Sequence, residues 1–297
     1  AGLDIVAVCC ILDREEGGRE KLKEAGYEDG KNIEITKLSA AADTANCPTI
    51  ADTLINNGSD LIYAIATPSV SAIKEKTTTI PVLFTAVTDP VKSGFVADVN
   101  NPGGNISGTS DMNPVKEQID LLKAILPDAK TVAVLYCSSE SNSAAQYALA
   151  KAQIEALGMT CIEKTISAID EAKSAVESLA GVADAIYVPT DNTISDSMTS
   201  VSAAANAVKL PLIVGEAGMV VNGALATYGI DYYRLGKQTA EMAVKLLKAE
   251  KPLDEIAKMA VVYQTDCVYA VNTDTAAALG ITIPEEILSK ATIYPSK

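Results

Sequence analysis

The chain has 297 residues, of which 48% are hydrophobic and only 4% aromatic, and its formal net charge is −14 at pH 7. This acidity argues against a nucleic-acid partner, because phosphate backbones select basic surfaces. Histidine is absent, which excludes catalytic triads and metal sites that need an imidazole. The length fits two domains, with cores built mainly from small aliphatic side chains.

Six cysteines are present without any CxxC spacing, so neither a disulfide scaffold nor a cysteine metal site is predicted; the redox state and pairing of the six stay open. The apolar runs are far shorter than the roughly 20 residues that span a bilayer. No signal-peptide pattern is visible, so we expect that a leader was either never present or already removed.

Strand-like and helix-like segments alternate from the first residues, which is typical of parallel α/β folds. The first part of the chain predicts four strands. Three of them lie over 3–8, 32–38 and 81–85, and another begins at Asp60. Helices are predicted over 13–25 and 44–57 and from Pro68, which suits a first helical turn.

The turn cluster over 101–105 separates this part from a second series of elements. A strand over 106–110 leads into the second series, and the first helix of that series begins at Asn113-Pro114. Further strands are predicted over 132–136, 160–164, 185–188, 212–214 and 223–230. A long helix over 231–248 follows, and the tail holds two short strand-like runs and two short helices.

Two stretches, over 60–69 and 184–192, share one pattern. Each starts with Asp, continues as an apolar run containing Tyr, and then changes abruptly to small polar residues. Ligands of open α/β sheets bind at the carboxyl ends of the strands, where these polar residues would fall. The sequence therefore predicts two similar lobes, each with a polar edge, that together form a cleft.

Motifs of nucleotide-binding and hydrolytic sites are missing from the sequence. There is no GxxxxGK[ST], no GxGxxG after the first strand and no GxSxG, so no catalytic machinery, cofactor or metal is predicted. The helix start at Thr67-Pro68-Ser69 suits an anion such as a carboxylate. Asp191 and Glu216 are the acidic groups best placed for a ligand cation. Ordinary helix capping is the alternative role for each of these groups.

Several runs, in order, resemble the substrate-binding proteins of ABC importers, in the group with tryptophan- and phenylalanine-binding members. They cover nearly the whole chain and are Ala64-Ile65-Ala66-Thr67-Pro68, Phe84-Thr85-Ala86-Val87-Thr88-Asp89-Pro90, Pro102-Gly103-Gly104-Asn105-Ile106-Ser107-Gly108-Thr109-Ser110, Leu126-Pro127-Asp128-Ala129-Lys130, Val188-Pro189-Thr190-Asp191-Asn192, the segment from Asn222 to Tyr233, and the segment from Ala278 to Pro284.

The resemblance implies a type I periplasmic-binding-protein fold: two doubly wound parallel-sheet lobes joined by about three hinge crossings, with the ligand held between them. Lobe 1 would comprise residues 1–111 plus 229–252, and lobe 2 residues 112–228 plus 253–297. It also implies an extracytoplasmic protein, periplasmic or lipid-anchored, that acts as a monomer and delivers an amino acid to the permease subunits of the transporter.

Related amino-acid-binding proteins suggest roles for the strand-end residues. Thr67, Ser69 and Thr88 would hold the α-carboxylate, and Glu216, with Asp191, would face the α-ammonium. Ser139 and Asn142 would add contacts from the second lobe. The complete set of expected ligand-binding residues is Thr67, Ser69, Ala86, Thr88, Ser139, Asn142, Asp191, Asn192, Glu216 and Met219.

One segment departs from the family pattern. Cys9-Cys10-Ile11 follows the first strand where relatives usually carry a longer turn, so an aliphatic amino acid or another small polar solute is an alternative to an aromatic one. An enzyme on the same fold, using Asp or Glu as acid and base, is a second hypothesis. A repressor core or a receptor fragment of this fold is a third; the repressor would need a DNA-binding unit before the first strand, which we do not expect.

Overall fold

The computed structural model describes residues 4–10, 18–41 and 43–295. Helices and strands alternate along the chain, as the sequence predicts. The elements up to residue 112 are β1 (Asp4–Cys10), α1 (Gly18–Glu24), β2 (Ile33–Ser39), a 3-10 turn (Thr44–Asn46), α2 (Cys47–Asn56), β3 (Leu61–Ile65), α3 (Thr67–Lys74), β4 (Val82–Val87) and β5 (Ile106–Ser110).

The next stretch holds a second α/β series. Its elements are α4 (Val115–Ile125), β6 (Thr131–Cys137), α5 (Ser141–Ala156), β7 (Thr160–Ile166), a 3-10 turn (Ile169–Glu171), α6 (Ala172–Glu177), β8 (Ala185–Val188), α7 (Asn192–Asp196), α8 (Met198–Ala207), β9 (Leu212–Val214), α9 (Ala217–Val221) and β10 (Ala226–Gly229).

The last part of the chain begins with a long helix. Its elements are α10 (Tyr232–Lys248), α11 (Pro252–Ile256), β11 (Val262–Tyr263), β12 (Val268–Asn272), α12 (Thr273–Leu279), α13 (Glu285–Leu288) and β13 (Ala291–Tyr294).

The chain divides into two compact units. The first comprises Ala1–Met112 and Tyr232–Thr265, and the second comprises Asn113–Asp231 and Asp266–Lys297. The chain thus passes from one unit to the other after Met112, Asp231 and Thr265.

The first unit is built on a parallel sheet with the strand order β11-β5-β4-β3-β1-β2. On one side, α10 packs a stripe of apolar residues against the sheet, where Leu61 and Leu83 meet Ala243 and Leu246 in one core cluster. A second cluster, around the buried Phe84, includes residues of α2 and α3. The strand β4 is buried along its whole length, as a central parallel strand covered on two faces must be.

The second unit is built on a sheet with the order β13-β12-β10-β9-β8-β6-β7. Its pairings are parallel except for β10 with β12, which is antiparallel. One core cluster, containing Met198 and Val201 of α8, and another, containing Ile119 and Leu122 of α4, pack against the strands.

Three segments lie in a different unit from the one predicted: residue 112 and residues 253–265 belong to the first unit, and residues 229–231 belong to the second. The sequence placed residues 253–265 in lobe 2, whereas the structure places them in the first unit. The reason is β11, in which Val262 pairs with Thr109 and Tyr263 with Ser110 of β5. This two-residue strand extends the first sheet, so the third crossing follows Thr265. In the described ranges, no helix combines the length and the apolar character that crossing a bilayer requires.

Candidate functional site

Two alanines at the carboxyl ends of neighbouring strands in the first unit have a backbone conformation that L-residues rarely adopt. Ala66, directly after β3, has φ 71° and ψ 153°, and Ala86, in β4, has φ 55°. The Ala66 N–H donates to Thr85 O at 3.0 Å, and the register of β4 against β5 shifts between Phe84 and Val87. Strain of this kind persists only where the surroundings fix it, and it concentrates at functional sites.

The helix α3 starts directly after Ala66 and presents the predicted hydroxyls. Thr67 and Ser69 are both buried, and their N–H groups precede the first backbone bond of the helix, from Val70 N–H to Ala66 O. The Ser69 hydroxyl is fully buried and has no hydrogen-bond partner among the described residues. The Cys47 thiol, a weak acceptor, lies beside it without reaching hydrogen-bond geometry. Burial raises the pKa of Cys47, and the Ser69 hydroxyl partly opposes that change. This corner therefore holds unused donors for an anion.

Thr88 is already engaged within the first unit. Its hydroxyl donates to Asp111 Oδ1 at 3.1 Å, and the Tyr232 hydroxyl donates to Asp111 Oδ2 at 2.8 Å. A hydroxyl carries a single proton, so Thr88 cannot also donate from its side chain to a carboxylate. The Thr88 hydroxyl is therefore committed to Asp111. Toward a ligand, the Thr88 hydroxyl can act only as an acceptor, through its remaining lone pairs.

In the second unit, the loops after the strands converge on Glu140, a residue that the sequence reasoning missed. Its side chain is 1% exposed, yet its carboxylate accepts five hydrogen bonds. The donors are Asn142 Nδ2, the N–H and Nδ2 of Asn192, and the N–H and Oγ1 of Thr193, at 2.7–3.2 Å. Glu140 thus ties the loop after β6 to the start of α7.

Asp191 is a second buried carboxylate in the same network. Its Oδ2 accepts from Cys137 N–H at 2.7 Å and from the Ser143 hydroxyl at 2.8 Å, while its Oδ1 caps α7 through Ile194 N–H at 2.9 Å. Burial, followed by the nearby charge of Glu140, raises the pKa of Asp191 to about 7. With its side chain fully buried and both oxygens engaged, Asp191 positions the loop, which is the capping role that the sequence left open.

Glu216 also caps a helix, but it keeps some of its accepting capacity. Its Oε2 accepts from Gly218 N–H at 2.7 Å and its Oε1 from the Ser195 hydroxyl at 3.0 Å. Each carboxylate oxygen retains a lone pair. A Cβ on Gly218 would lie 2.8 Å from Glu216 Oε2, so a side chain at this position would force the carboxylate to move.

Asn142 and Asn192 both donate to Glu140, and the ligand contacts predicted for them stay predictions. Ser139 is exposed, and its hydroxyl lies 3.2 Å from the Cys137 thiol. Met219 is different. Its side chain is fully buried in the core cluster that contains Val214 and Ala224, so we assign it to the core rather than to a binding surface.

Sequence signals for the missed residues existed but were incomplete. Asp111 directly follows β5, and Glu140 lies three residues after β6, the position where ligand-site residues collect in such sheets. The residues of the altered turn, Cys9 and Cys10, end β1, and residue 11 lies outside the described ranges. Within the described ranges, no group of three His, Cys, Asp or Glu side chains is arranged to hold a metal ion.

Comparison with known proteins gives the family. A model of the ABC transporter substrate binding protein family matches residues 4–294. A curated tyrosine-binding protein of Clostridioides difficile (strain R20291) is 40% identical over 269 residues, which is 90% of this chain and 77% of that protein.

Two solved structures extend the match to the whole fold. The ABC domain in complex with L-Trp from Streptococcus pneumoniae is 34% identical with a TM-score of 0.92, over 99% of this chain and 100% of that chain. A ligand-free, open substrate-binding protein with adhesive properties from Clostridium difficile is 37% identical with a TM-score of 0.73, over the same shares. The predicted type I periplasmic-binding-protein fold is confirmed, and the chain belongs to the ABC transporter substrate-binding protein family, whose members are extracytoplasmic transport components.

Proposed function

We propose that this protein captures an aromatic L-amino acid outside the cytoplasm and delivers it to the permease subunits of an ABC importer. The 40% identity to a tyrosine-binding protein over nine-tenths of the chain supports the ligand class. The relative solved with L-Trp supports the same class. A binding protein of this kind supplies recognition, and transport rather than a chemical reaction is its output.

The buried Ser69 hydroxyl is the observation that carries the assignment to an amino acid. It lies at the start of α3, has no described partner, and follows the strained Ala66. A buried hydroxyl without a partner costs free energy unless a ligand satisfies it. We therefore assign the α-carboxylate to Thr67, Ser69 and the N–H groups of this corner, with Ala86 shaping the adjacent backbone.

In the second unit, Glu216 is the proposed partner of the α-ammonium. It is 5% exposed and retains a lone pair on each oxygen. A charge-assisted hydrogen bond to a desolvated ammonium is among the stronger polar contacts in proteins. Ser139 and Asn192 border the same network and are proposed as further contacts. We also propose that the protein is monomeric, and either periplasmic or lipid-anchored.

A thermal-shift screen against the twenty amino acids, with sugars and nucleosides as controls, tests the ligand class. A ligand at a hundred times its Kd adds roughly 2.7 kcal/mol to the stability of the folded state. We expect a rise in Tm with tyrosine, tryptophan or phenylalanine. A rise with aliphatic amino acids alone, or with none, would contradict the proposal.

A point variant tests the ammonium contact. Glu216→Ala should weaken amino-acid binding by at least about tenfold, whereas Glu286→Ala, at a highly exposed carboxylate, should leave it unchanged. Unaltered affinity in a folded Glu216→Ala protein would remove Glu216 from the site.

A further inference from the structure

The side-chain amide of Asn142 has one chemically permitted orientation. Its Nδ2 donates to Glu140 Oε2 at 3.2 Å and to Thr190 O at 3.0 Å. Flipping the amide would turn Oδ1 toward a carboxylate and a carbonyl, both of which only accept. Asn142 Oδ1 must therefore point away from Glu140 and Thr190.

That oxygen is a buried acceptor in need of a donor. Asn142 is 6% exposed, and its Oδ1 has no hydrogen-bond partner among the described residues. The Asn142 amide is held firmly in place, because its acceptor Thr190 is itself fixed by Gln146. The Gln146 Nε2 donates to Thr190 O, and the Thr190 N–H donates to Gln146 Oε1. Polar atoms buried in this way are nearly always satisfied, and an exception calls for a ligand or an ordered water.

The charges around Asn142 indicate which kind of donor fits. The neighbouring carboxylates of Glu140 and Asp191 are occupied by donors of the protein itself. Glu216 is the carboxylate with capacity left for an ammonium. A neutral amide oxygen is the matching acceptor for a neutral donor, such as a phenol O–H or an indole N–H.

We propose that Asn142 Oδ1 accepts the hydrogen bond of the donor on the aromatic ring of the ligand and thereby selects tyrosine or tryptophan over phenylalanine. The assignment rests on the proposed function and deepens it. Asn142 is the specificity-determining residue, and Glu140 is a positioning residue that fixes which end of the amide faces the ligand. Phenylalanine is rejected because it would leave this oxygen buried without a partner, and sites built to bond a substrate O–H discriminate strongly against analogues that lack it.

Isothermal titration calorimetry with paired ligands tests the inference on the unmodified protein. The pairs are L-tyrosine with L-phenylalanine, and L-tryptophan with 3-benzothienyl-L-alanine, in which sulfur replaces the indole N–H. We expect the donor-bearing member of at least one pair to bind at least about tenfold more tightly. Equal affinities within both pairs would overturn the inference and leave the proposed function standing, whereas no binding of any of the four would overturn both.

Variants identify the residue responsible. Asn142→Leu should reduce the preference to near unity, mainly by weakening the donor-bearing ligand. The matched control is Ser143→Ala, which removes the hydroxyl that contacts Asp191, Thr190 and, at 3.4 Å, Asn142 Nδ2 but leaves Nδ2 bonded to Glu140 and Thr190; it should retain the preference. If Asn142→Leu weakened the binding of both members of a pair equally, Asn142 would not bind the donor on the aromatic ring, and the assignment would be overturned.

Discussion

The polar edges of the two units use different chemistry at equivalent places in similar sheets. In the first unit, the edge consists of hydroxyls and strained backbone, with Ala66 and Ala86 at positive φ and Ser69 unpartnered. In the second unit, two buried carboxylates, Glu140 and Asp191, are surrounded by donors from the protein itself.

The difference separates two ways of building a binding surface. Backbone strain and hydroxyls leave donors available, which suits the carboxylate of a ligand. Internally satisfied carboxylates instead hold loops rigidly, so that a neighbouring group such as Asn142 keeps one orientation. Acidic residues at a strand end are therefore not by themselves ligand contacts, and their hydrogen-bond partners decide their role.

The largest expected effect comes from removing the central carboxylate of the second unit. Glu140→Ala should lower the free energy of unfolding by at least about 3 kcal/mol, since each buried donor left without an acceptor costs roughly 1–3 kcal/mol. Chemical denaturation followed by circular dichroism measures the loss.

A variant in the hydroxyl network of the first unit is the comparison for Glu140→Ala in the second. Thr109→Val removes hydroxyl contacts to Thr85 and Thr239, at 3.0 and 2.7 Å, while conserving the shape of the side chain. It should cost only about 1–2 kcal/mol, because the buried Thr85 hydroxyl loses its contact while the Thr239 hydroxyl keeps its bond to Leu235 O. Similar losses in the two variants would erase the contrast between the edges.

A pH dependence should belong to the second unit. Burial and the charge of Glu140 raise the pKa of Asp191 to about 7, above the value of about 3.9 for an unfolded chain. Protonation of Asp191 therefore stabilises the folded unit fully below about pH 4, and this contribution is lost as the pH rises toward 7. Urea midpoints measured between pH 4 and 8 should fall with rising pH.

Asp191→Asn separates this effect from the general influence of net charge. The variant cannot titrate at position 191, so its midpoint should change less over the same range than that of the unmodified protein. Asp184 is an internal contrast, because N–H donors from Lys130 and Thr131 lower its pKa and its contribution is lost only at more acidic pH. Parallel curves for the two proteins would remove Asp191 as the source.

A smaller effect is expected from relieving backbone strain in the first unit. Ala66→Gly should raise the free energy of unfolding by about 1 kcal/mol, because the strain removed exceeds the added entropy of the unfolded chain. It should also weaken amino-acid binding, because the helix start is held less firmly. Ala41→Gly, at an exposed residue with φ 52°, is the control that should leave affinity unchanged; equal affinity in both variants would sink the proposed role of the strain.

The sequence was sufficient to predict the alternation of elements and the helix start at Thr67, because apolar runs and the short polar segments between them are local signals. At Asp191 and Glu216 it left helix capping only as the alternative to a ligand contact. It could not predict β11, since two residues pair with a strand about 150 positions earlier. The role of Glu140 was hidden for the same reason, because four of the five hydrogen bonds that it accepts come from groups more than 50 residues away, whose direction only the fold decides. Met219 was misjudged because a five-residue helix gives no period from which to choose its buried face.

Calorimetric titration of the protein with L-tyrosine, tyramine and 3-(4-hydroxyphenyl)propanoate tests the central claim most directly. We expect the loss of either the carboxylate or the ammonium group to weaken binding by at least about tenfold. We also expect Ser69→Ala to weaken the binding of L-tyrosine but not of tyramine, because tyramine lacks the carboxylate that Ser69 would hold. Equal binding of all three compounds, or a Ser69→Ala loss that tyramine shares, would contradict it.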